Sequence, residues 1–248
     1  MVKMAVYSTD AIVIRSREYG ESDRLITLFS REKGKIEAIA KGARKPRSTQ
    51  RGGTQLFTYA DFLLYRGKNL DTVSQAQPKE SFIHLWNDFD RTIAASGMVE
   101  LLDTAAPKEQ PEPELFTLTL SFLFLLRHVD PYIAQAAFAL RLMHSAGYLP
   151  ALDECGDCGK SLRGEQAFIS AEAGGLVCAT CKNNRAVKAL NPGSVALMHQ
   201  LYKADLGMLD RLRWNKKVRE EILGGLCFFC EHRLEKRLHA WRQGSEFI

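Results

Sequence analysis

Four cysteines in the second half of the chain have the types and spacing to hold a metal. Cys155 and Cys158 form one Cys-x2-Cys pair, Cys178 and Cys181 form another, and nineteen residues separate the pairs. That is the spacing at which four thiolates close around one zinc ion. The loop between the pairs is too short to bury a core of its own, so metal binding is expected to supply much of its folding free energy. A complete four-sulfur shell leaves no coordination position for water or substrate, so the expected cofactor is one structural Zn2+ per chain. Disulfides are the weaker reading, because a chain of 248 residues does not need them and no secretory leader is evident. Taken alone, Cys-Gly-Asp-Cys could be a redox pair, but a second pair at zinc-site spacing answers it. Cys227 and Cys230 make a third pair inside the apolar run LCFFC. They read as buried thiols on one helix face, in preference to a second site with His232 or His239.

The other chemistry on offer is positive charge. Arg31, Lys33, Lys35, Lys41, Arg44, Lys45, Arg47 and Arg51 face only Glu32 and Glu37 in the same stretch, a local excess of +6. Lysines and arginines gathered in this way follow a phosphate backbone without reading its bases, so these eight are the candidate DNA-binding residues. Within residues 41–55 the segment carries Pro46, Gly52 and Gly53, and reads as a mobile, solvated connection. Nearby aromatic residues, among them Tyr7, Tyr19, Phe29, Phe57 and Tyr59, read mostly as core; Tyr19, beside Gly20, is the least core-like and the best stacking candidate.

These residues need elements to position them. Residues 9–78 contain five short runs with partial alternation, punctuated by Gly20, Gly34 and Gly67. Ile12 with Ile14, and Ile36 with Ala38 and Ala40, read as core faces. Five strands without a long helix predict a small closed barrel of the oligonucleotide-binding kind. From residue 81 the period becomes helical, broken by Pro107, Pro111 and Pro113 and resumed in a helix opened by Asp130-Pro131 and closed by Gly147. The expected fold class is thus α+β: a five-stranded OB-fold barrel in 1–79, a mainly helical domain in 80–154 and 186–248, and a four-cysteine zinc finger inserted at 155–185.

Charge is divided along the same lines. Residues 1–80 carry +6, residues 81–154 carry −6 and residues 155–248 carry +5. The basic ends suit nucleic acid and the acidic middle suits core or protein contacts. The most apolar segment, residues 115–126, is twelve residues long, short of a membrane span, so no membrane partner is expected and the setting reads as cytoplasmic.

Taken together, the strand-rich start followed by AKGARKPRS, the helix PEPELFTLTLSFLFLL after a proline-rich link, the stretch AFALRLMHSAGYLPALDECGDCG and the second pair in GGLVCATC resemble the bacterial recombination mediator family RecO. The resemblance runs from residue 5 to about 242. It implies an amino-terminal OB barrel, a helical domain and an embedded zinc finger, with Lys41, Gly42 and Arg44 at the family's barrel loop and the four cysteines at its zinc positions. It also implies a non-enzymatic DNA-repair protein, cytoplasmic and nucleoid-associated. Such a protein binds single- and double-stranded DNA, anneals complementary strands and works with RecR and single-strand-binding protein to load recombinase. Two other classes compete with this reading. One is a zinc-ribbon and OB-fold accessory protein of transcription or translation, which shares the binding chemistry but not the partners. The other is a metal-dependent DNA-processing enzyme, which would need clustered carboxylates where this chain has only scattered ones such as Asp10, Glu18 and Asp23.

Overall fold

In the computed structural model, which describes residues 5–246, a single long strand sets the geometry of the amino-terminal unit. β1 (Val6–Tyr19) pairs antiparallel with β4 (Tyr59–Tyr65) through its first half and with β2 (Asp23–Ser30) through its second. The register shifts between Val13 and Arg15. An extra residue at this point bends the strand, which lets one strand serve two neighbours. β3 (Gly34–Ala40) follows β2 in a hairpin, and β5 (Asp71–Glu80) lies antiparallel to β4.

Side chains from all five strands fill the interior, among them Ala11, Val13, Ile26, Leu28, Ile36, Ala38, Phe62, Leu64 and Val73. Alternation in β3 is as expected, with Ile36, Ala38 and Ala40 inward. In β1 the expectation is off by one. Ala11 and Val13 point into the interior, while Ile12 and Ile14 are buried outside that cluster.

The expectation of an evenly closed barrel needs correcting. The strands follow the cyclic order β1-β2-β3-β5-β4, but β3 and β5 meet through only two parallel pairs, Ala38 with Asp71 and Ile39 with Thr72. The unit is better described as a curled five-stranded sheet whose last seam is barely zipped. The unpaired backbone at that seam finds other partners. Beyond the two pairs, the carbonyls of Val73 and Ser74 accept from Gln50 Nε2 at 3.3 and 2.8 Å. Before them, the carbonyl of Lys35 accepts from Glu109 N at 3.1 Å, in the proline-rich link. This link presses so close that a Cβ on Gly34 would sit 2.0 Å from the Gln110 carbonyl oxygen. Gly34 also has φ +65°, so only glycine suits the position.

Residues 41–58 take up defined turns, where the Pro and Gly content of 41–55 suggests a mobile connection. They form consecutive turns, with Thr54 N donating to Gln50 O (3.1 Å), Gln55 N to Gly52 O (3.4 Å) and Thr58 Oγ1 to Gly52 O (3.3 Å). Ala43, Thr54, Phe57 and Thr58 are buried.

Contacts divide the chain into two compact units, one of residues 1–87 and 105–124, the other of 88–104 and 125–248. The first takes in α1 (Ile83–Trp86) and nearly all of α3 (Pro113–Leu125), so the most apolar helix groups with the strands and not with the helices that follow. The second takes in nearly all of α2 (Phe89–Ala105), with α4 (Pro131–Ser145), α5 (Pro192–Lys203), a 3-10 helix at Leu206–Arg211, α6 (Lys216–Arg233) and α7 (His239–Glu246), and a small sheet between α4 and α5. Its central helix is α4, buried at every position from Tyr132 to Leu140. Asp130 Oδ1 caps α4, accepting from Tyr132 N at 3.0 Å and Ile133 N at 2.9 Å, and Gly147 at φ +78° ends it. Among the described residues no helix is long and apolar enough to cross a membrane.

Candidate metal centre and nucleic-acid surface

The small sheet of the second unit, in the order β7-β6-β8, comprises β6 (Ala167–Ser170), β7 (Gly175–Val177) and β8 (Lys188–Leu190). It holds the two cysteine turns together. Gly156 N donates to Leu176 O at 2.8 Å and Gly159 N to Cys155 O at 2.9 Å, folding the first turn against β7. Cys181 N and Lys182 N both donate to Cys178 O, at 3.2 and 3.0 Å, and fold the second. Beside them Gly175 lies so close to Ala151 that a Cβ would meet its backbone N and O at 2.4 Å.

The result gathers the Sγ atoms of Cys155, Cys158, Cys178 and Cys181 within 4.8 Å of one another. Zinc–sulfur bonds of about 2.3 Å in a tetrahedron give sulfur–sulfur edges of about 3.8 Å, and Cys158 Sγ and Cys178 Sγ lie 4.0 Å apart. The donor set fits a tetrahedral, thiolate-preferring ion.

Titration within the cluster follows from the same crowding. Burial pushes the Cys155 thiol up, but the backbone N–H groups of Cys158, Cys178 and Asp157 outweigh it and hold the group at about 6. Cys178 is also lowered, chiefly by the Cys181 N–H. Cys181 is pushed up to about 12 by the neighbouring sulfurs, first Cys178 and then Cys158. Adjacent thiolates without a cation between them must share a proton, which is the electrostatic demand that a metal meets. Arg185 braces the first turn from outside, donating to both Asp157 oxygens at 2.8 and 3.1 Å.

Cys227 and Cys230 are in a different environment. Both are buried in α6, and burial pushes Cys227 up to about 12 and raises Cys230 as well. Inert core thiols are what the apolar run LCFFC leads one to expect.

The eight basic residues are not brought together. Arg31, Lys33 and Lys35 lie at the β2–β3 hairpin, whereas Lys41, Arg44, Lys45, Arg47 and Arg51 follow the other end of β3, about 20 Å away along a seven-residue strand. The hairpin group is engaged in packing. The Arg31 guanidinium lies over the Phe116 ring at 4.7 Å, with its Nε 3.7 Å from Asp10 Oδ2, and Lys33 Nζ lies 5.0 Å over the Tyr7 ring.

Lys41, Lys45, Arg47 and Arg51 are exposed. Arg44 is half-buried, paired with Glu18 at 2.8 Å and donating to the carbonyls of Gly20 and Glu21. Asp23 Oδ1 accepts from Gly42 N at 2.8 Å and fixes the entry to the segment.

Three arginines escape a reading based on charge runs. Arg24 crosses to the same end as the 41–51 segment and reaches Thr54 O at 3.4 Å. Its guanidinium is held below its ordinary value by burial and then by Arg51, with Arg44 adding to the effect. Crowded like charges of this kind are relieved by an anion. Arg15 and Arg17 are exposed on the outer face of β1, opposite Thr27 and Leu25. The signal for them was present as Arg-x-Arg at the period of a strand. Of the aromatic residues, Phe29, Phe57 and Phe62 are core, and Tyr19 is 52% exposed at the end of β1.

Comparison with known proteins places this architecture. The family model described as Recombination protein O N terminal matches residues 4–82, and the one described as Recombination protein O C terminal matches residues 87–242. The chain belongs to the RecO family. DNA repair protein RecO of Desulfitobacterium hafniense strain Y51 is 53% identical, across 99% of this chain and 91% of that protein. DNA repair protein RecO of Heliobacterium modesticaldum is 41% identical, across 96% of this chain and 89% of its own length. The RecO matches thus take in the curled sheet, the helices and the four-cysteine cluster alike.

Proposed function

We propose that the protein is a non-enzymatic recombination mediator in DNA repair, cytoplasmic and nucleoid-associated. In this reading it binds single- and double-stranded DNA, anneals complementary strands and helps load recombinase on DNA coated by single-strand-binding protein, with RecR as a further partner. The observation that carries the reading is the family match along both parts of the chain. The exposed cations at 41–51 agree with it, because annealing needs no hydrolysis. Base pairing supplies the free energy, and the protein has only to reduce repulsion between two polyanions. Residues 1–79 would be the DNA-binding part, and 155–185 a zinc-stapled module within the helical part at 80–248. The ion held by Cys155, Cys158, Cys178 and Cys181 would be a structural Zn2+, one per chain.

The DNA surface in this reading runs from Lys41, Lys45, Arg47 and Arg51 past Arg24 and Arg44 to Arg15 and Arg17. Arg31, Lys33 and Lys35 contribute at its far end. The test is fluorescence anisotropy of labelled single strands over a series of salt concentrations, comparing wild type with the triple variant Lys45→Glu, Arg47→Glu, Arg51→Glu. These three are exposed, so the fold and metal content should be unchanged. Affinity should fall, and each lost contact should lower the salt slope by about 0.7. Equal affinities and equal slopes would mean that DNA binds elsewhere.

A further inference from the structure

The second compact unit has a basic segment of its own. Residues 211–219 contain Arg211, Arg213, Lys216, Lys217 and Arg219 and no carboxylate, the same number of cations as residues 41–51 hold in the first unit. Arg211, Arg213, Lys216 and Lys217 are exposed, and Trp214 is half-buried among them. The backbone through Leu212 (φ −69°, ψ 143°) to Asn215 (φ −91°, ψ 169°) is extended. Arg213 is fixed by donating to the carbonyls of Asp210 and Leu212, the latter at 2.7 Å, and the Arg219 guanidinium lies 5.3 Å over the Tyr132 ring.

A solvated surface can hold lysines anywhere, but Lys216 and Lys217 are the first two residues of α6. The helix dipole disfavours cations there and favours carboxylates, and the first turn contains none. A local rule broken on the surface, beside an aromatic residue and three arginines, suggests a binding role.

We infer that residues 211–219 form a second polyanion surface, separate from the 41–51 segment, which takes the second DNA strand during annealing. The cations would neutralise phosphates and Trp214 would offer a stacking face, a combination that suits a single strand of any sequence. This inference rests on the reading of the protein as a strand annealer. It adds that each unit holds its own strand, so that one chain brings two together.

The full-length protein tests it through Lys216→Glu with Lys217→Glu. Glutamate suits a first helical turn, but the variant gives up the Lys216–Glu220 pair at 3.8 Å and the charge of Lys217 beside Glu221, so it should melt slightly below wild type and remain folded at the assay temperature. Titration with a single-stranded oligonucleotide of about ten nucleotides should show two bound per wild-type chain. One should be bound by this variant, one by the Lys45/Arg47/Arg51 triple variant and none by the combination. Annealing should slow by about tenfold or more in either variant.

If the α6 variant matched wild type in stoichiometry and annealing rate while the triple variant did not, the second surface would be wrong and the first would stand. If only the triple variant matched wild type, the DNA surface in the first unit would be the one to fail. One oligonucleotide per wild-type chain, weakened by both variants, would mean a single strand crossing both surfaces and would overturn the two-strand arrangement. With polyglutamate titrated in parallel as an acidic-peptide probe, loss of its binding by the α6 variant with both oligonucleotides retained would make the surface a protein site and would also overturn it.

Discussion

Glu100, in α2, caps the first turn of α7 from across the second unit. Its Oε1 accepts from His239 N and its Oε2 from Ala240 N, both at 2.8 Å, and Trp241 N lies 3.3 Å from Oε2. A carboxylate at a helix N-terminus satisfies orphan N–H groups and complements the helix dipole. Trp241, which is 1% exposed, is carried into the core by that turn. Glu100→Ala is therefore expected to destabilise the unit by about 1–2 kcal/mol. Tryptophan emission should shift to the red as Trp241 loosens. A variant with the wild-type melting temperature and emission maximum would show that α7 docks without this cap.

A second carboxylate makes stability depend on pH. Glu221 Oε2 accepts from Asn191 N and Asn191 Nδ2, both at 2.8 Å, and from Ser194 Oγ at 2.7 Å. Burial raises its pKa, but these hydrogen bonds and Lys217 outweigh burial, so the folded value lies below the ordinary one. A depressed carboxylate contributes its stability fully above the unfolded value, about 4.3, and loses it as pH falls through the folded value. Glu221→Gln should melt lower than wild type at pH 7, and the two curves should converge in acid. A gap that stayed constant down to the acid limit would mean that Glu221 does not titrate in this way.

The metal prediction separates the three cysteine pairs. Metal analysis should give about one zinc per chain, and Cys178→Ala should lose it together with thermal stability, because a bound ion would tie the two turns and β7 together. Cys227→Ala with Cys230→Ala should keep the metal and cost about 1 kcal/mol per site through lost packing. Zinc loss in the second variant would show that the buried pair takes part after all. A metal-free protein that melted like the wild type would remove the structural role of the site.

What the sequence made legible was local. The four clustered cysteines sit in two short turns, the strands are marked by glycine and alternation, and Asp130 and Gly147 frame α4 within a single segment. Features that depend on contacts far apart in sequence were hidden. No local pattern says that Gln50 will satisfy carbonyls of β5 or that Glu100 will cap a helix about 140 residues later. Mean apolarity does not rank the helices by burial. The residues richest in Leu and Phe form α3, which leaves Phe124 38% exposed, whereas the alanine-rich α4 is the helix buried on all sides. Small residues let neighbours approach closely, and close approach, more than hydropathy, decides which helix is central. In the 41–51 segment charge and Pro/Gly content suggested mobility, because the hydrogen bonds that order it come from Gln50, Thr54 and Asp23.

That ordering yields the last prediction. Residues 41–51 offer trypsin cleavage positions at Lys41, Arg44, Arg47 and Arg51, the bond after Lys45 being blocked by Pro46, so a mobile connection would be cut at once. In the structure its entry is tied by Asp23 to Gly42 N and by Arg44 N to Ser22 O at 2.9 Å, and its far end is tied to β5 through Gln50. Cleavage then requires local opening, and its rate reports the free energy of that opening. Limited proteolysis of the native protein should leave the segment intact on the timescale on which the denatured protein is fully cut. Gln50→Ala removes the donor that covers Val73 O and Ser74 O at the thin β3–β5 seam. A net loss of about 1–2 kcal/mol for those two bonds corresponds to cleavage faster by roughly tenfold. The same variant should bind single strands more weakly at unchanged charge, since an ordered array of cations presents phosphates with less entropy to lose than a mobile one. Immediate cleavage of the wild type at Lys41 or Arg47 would show that the segment is a mobile loop in solution and that its DNA contacts form without pre-organisation.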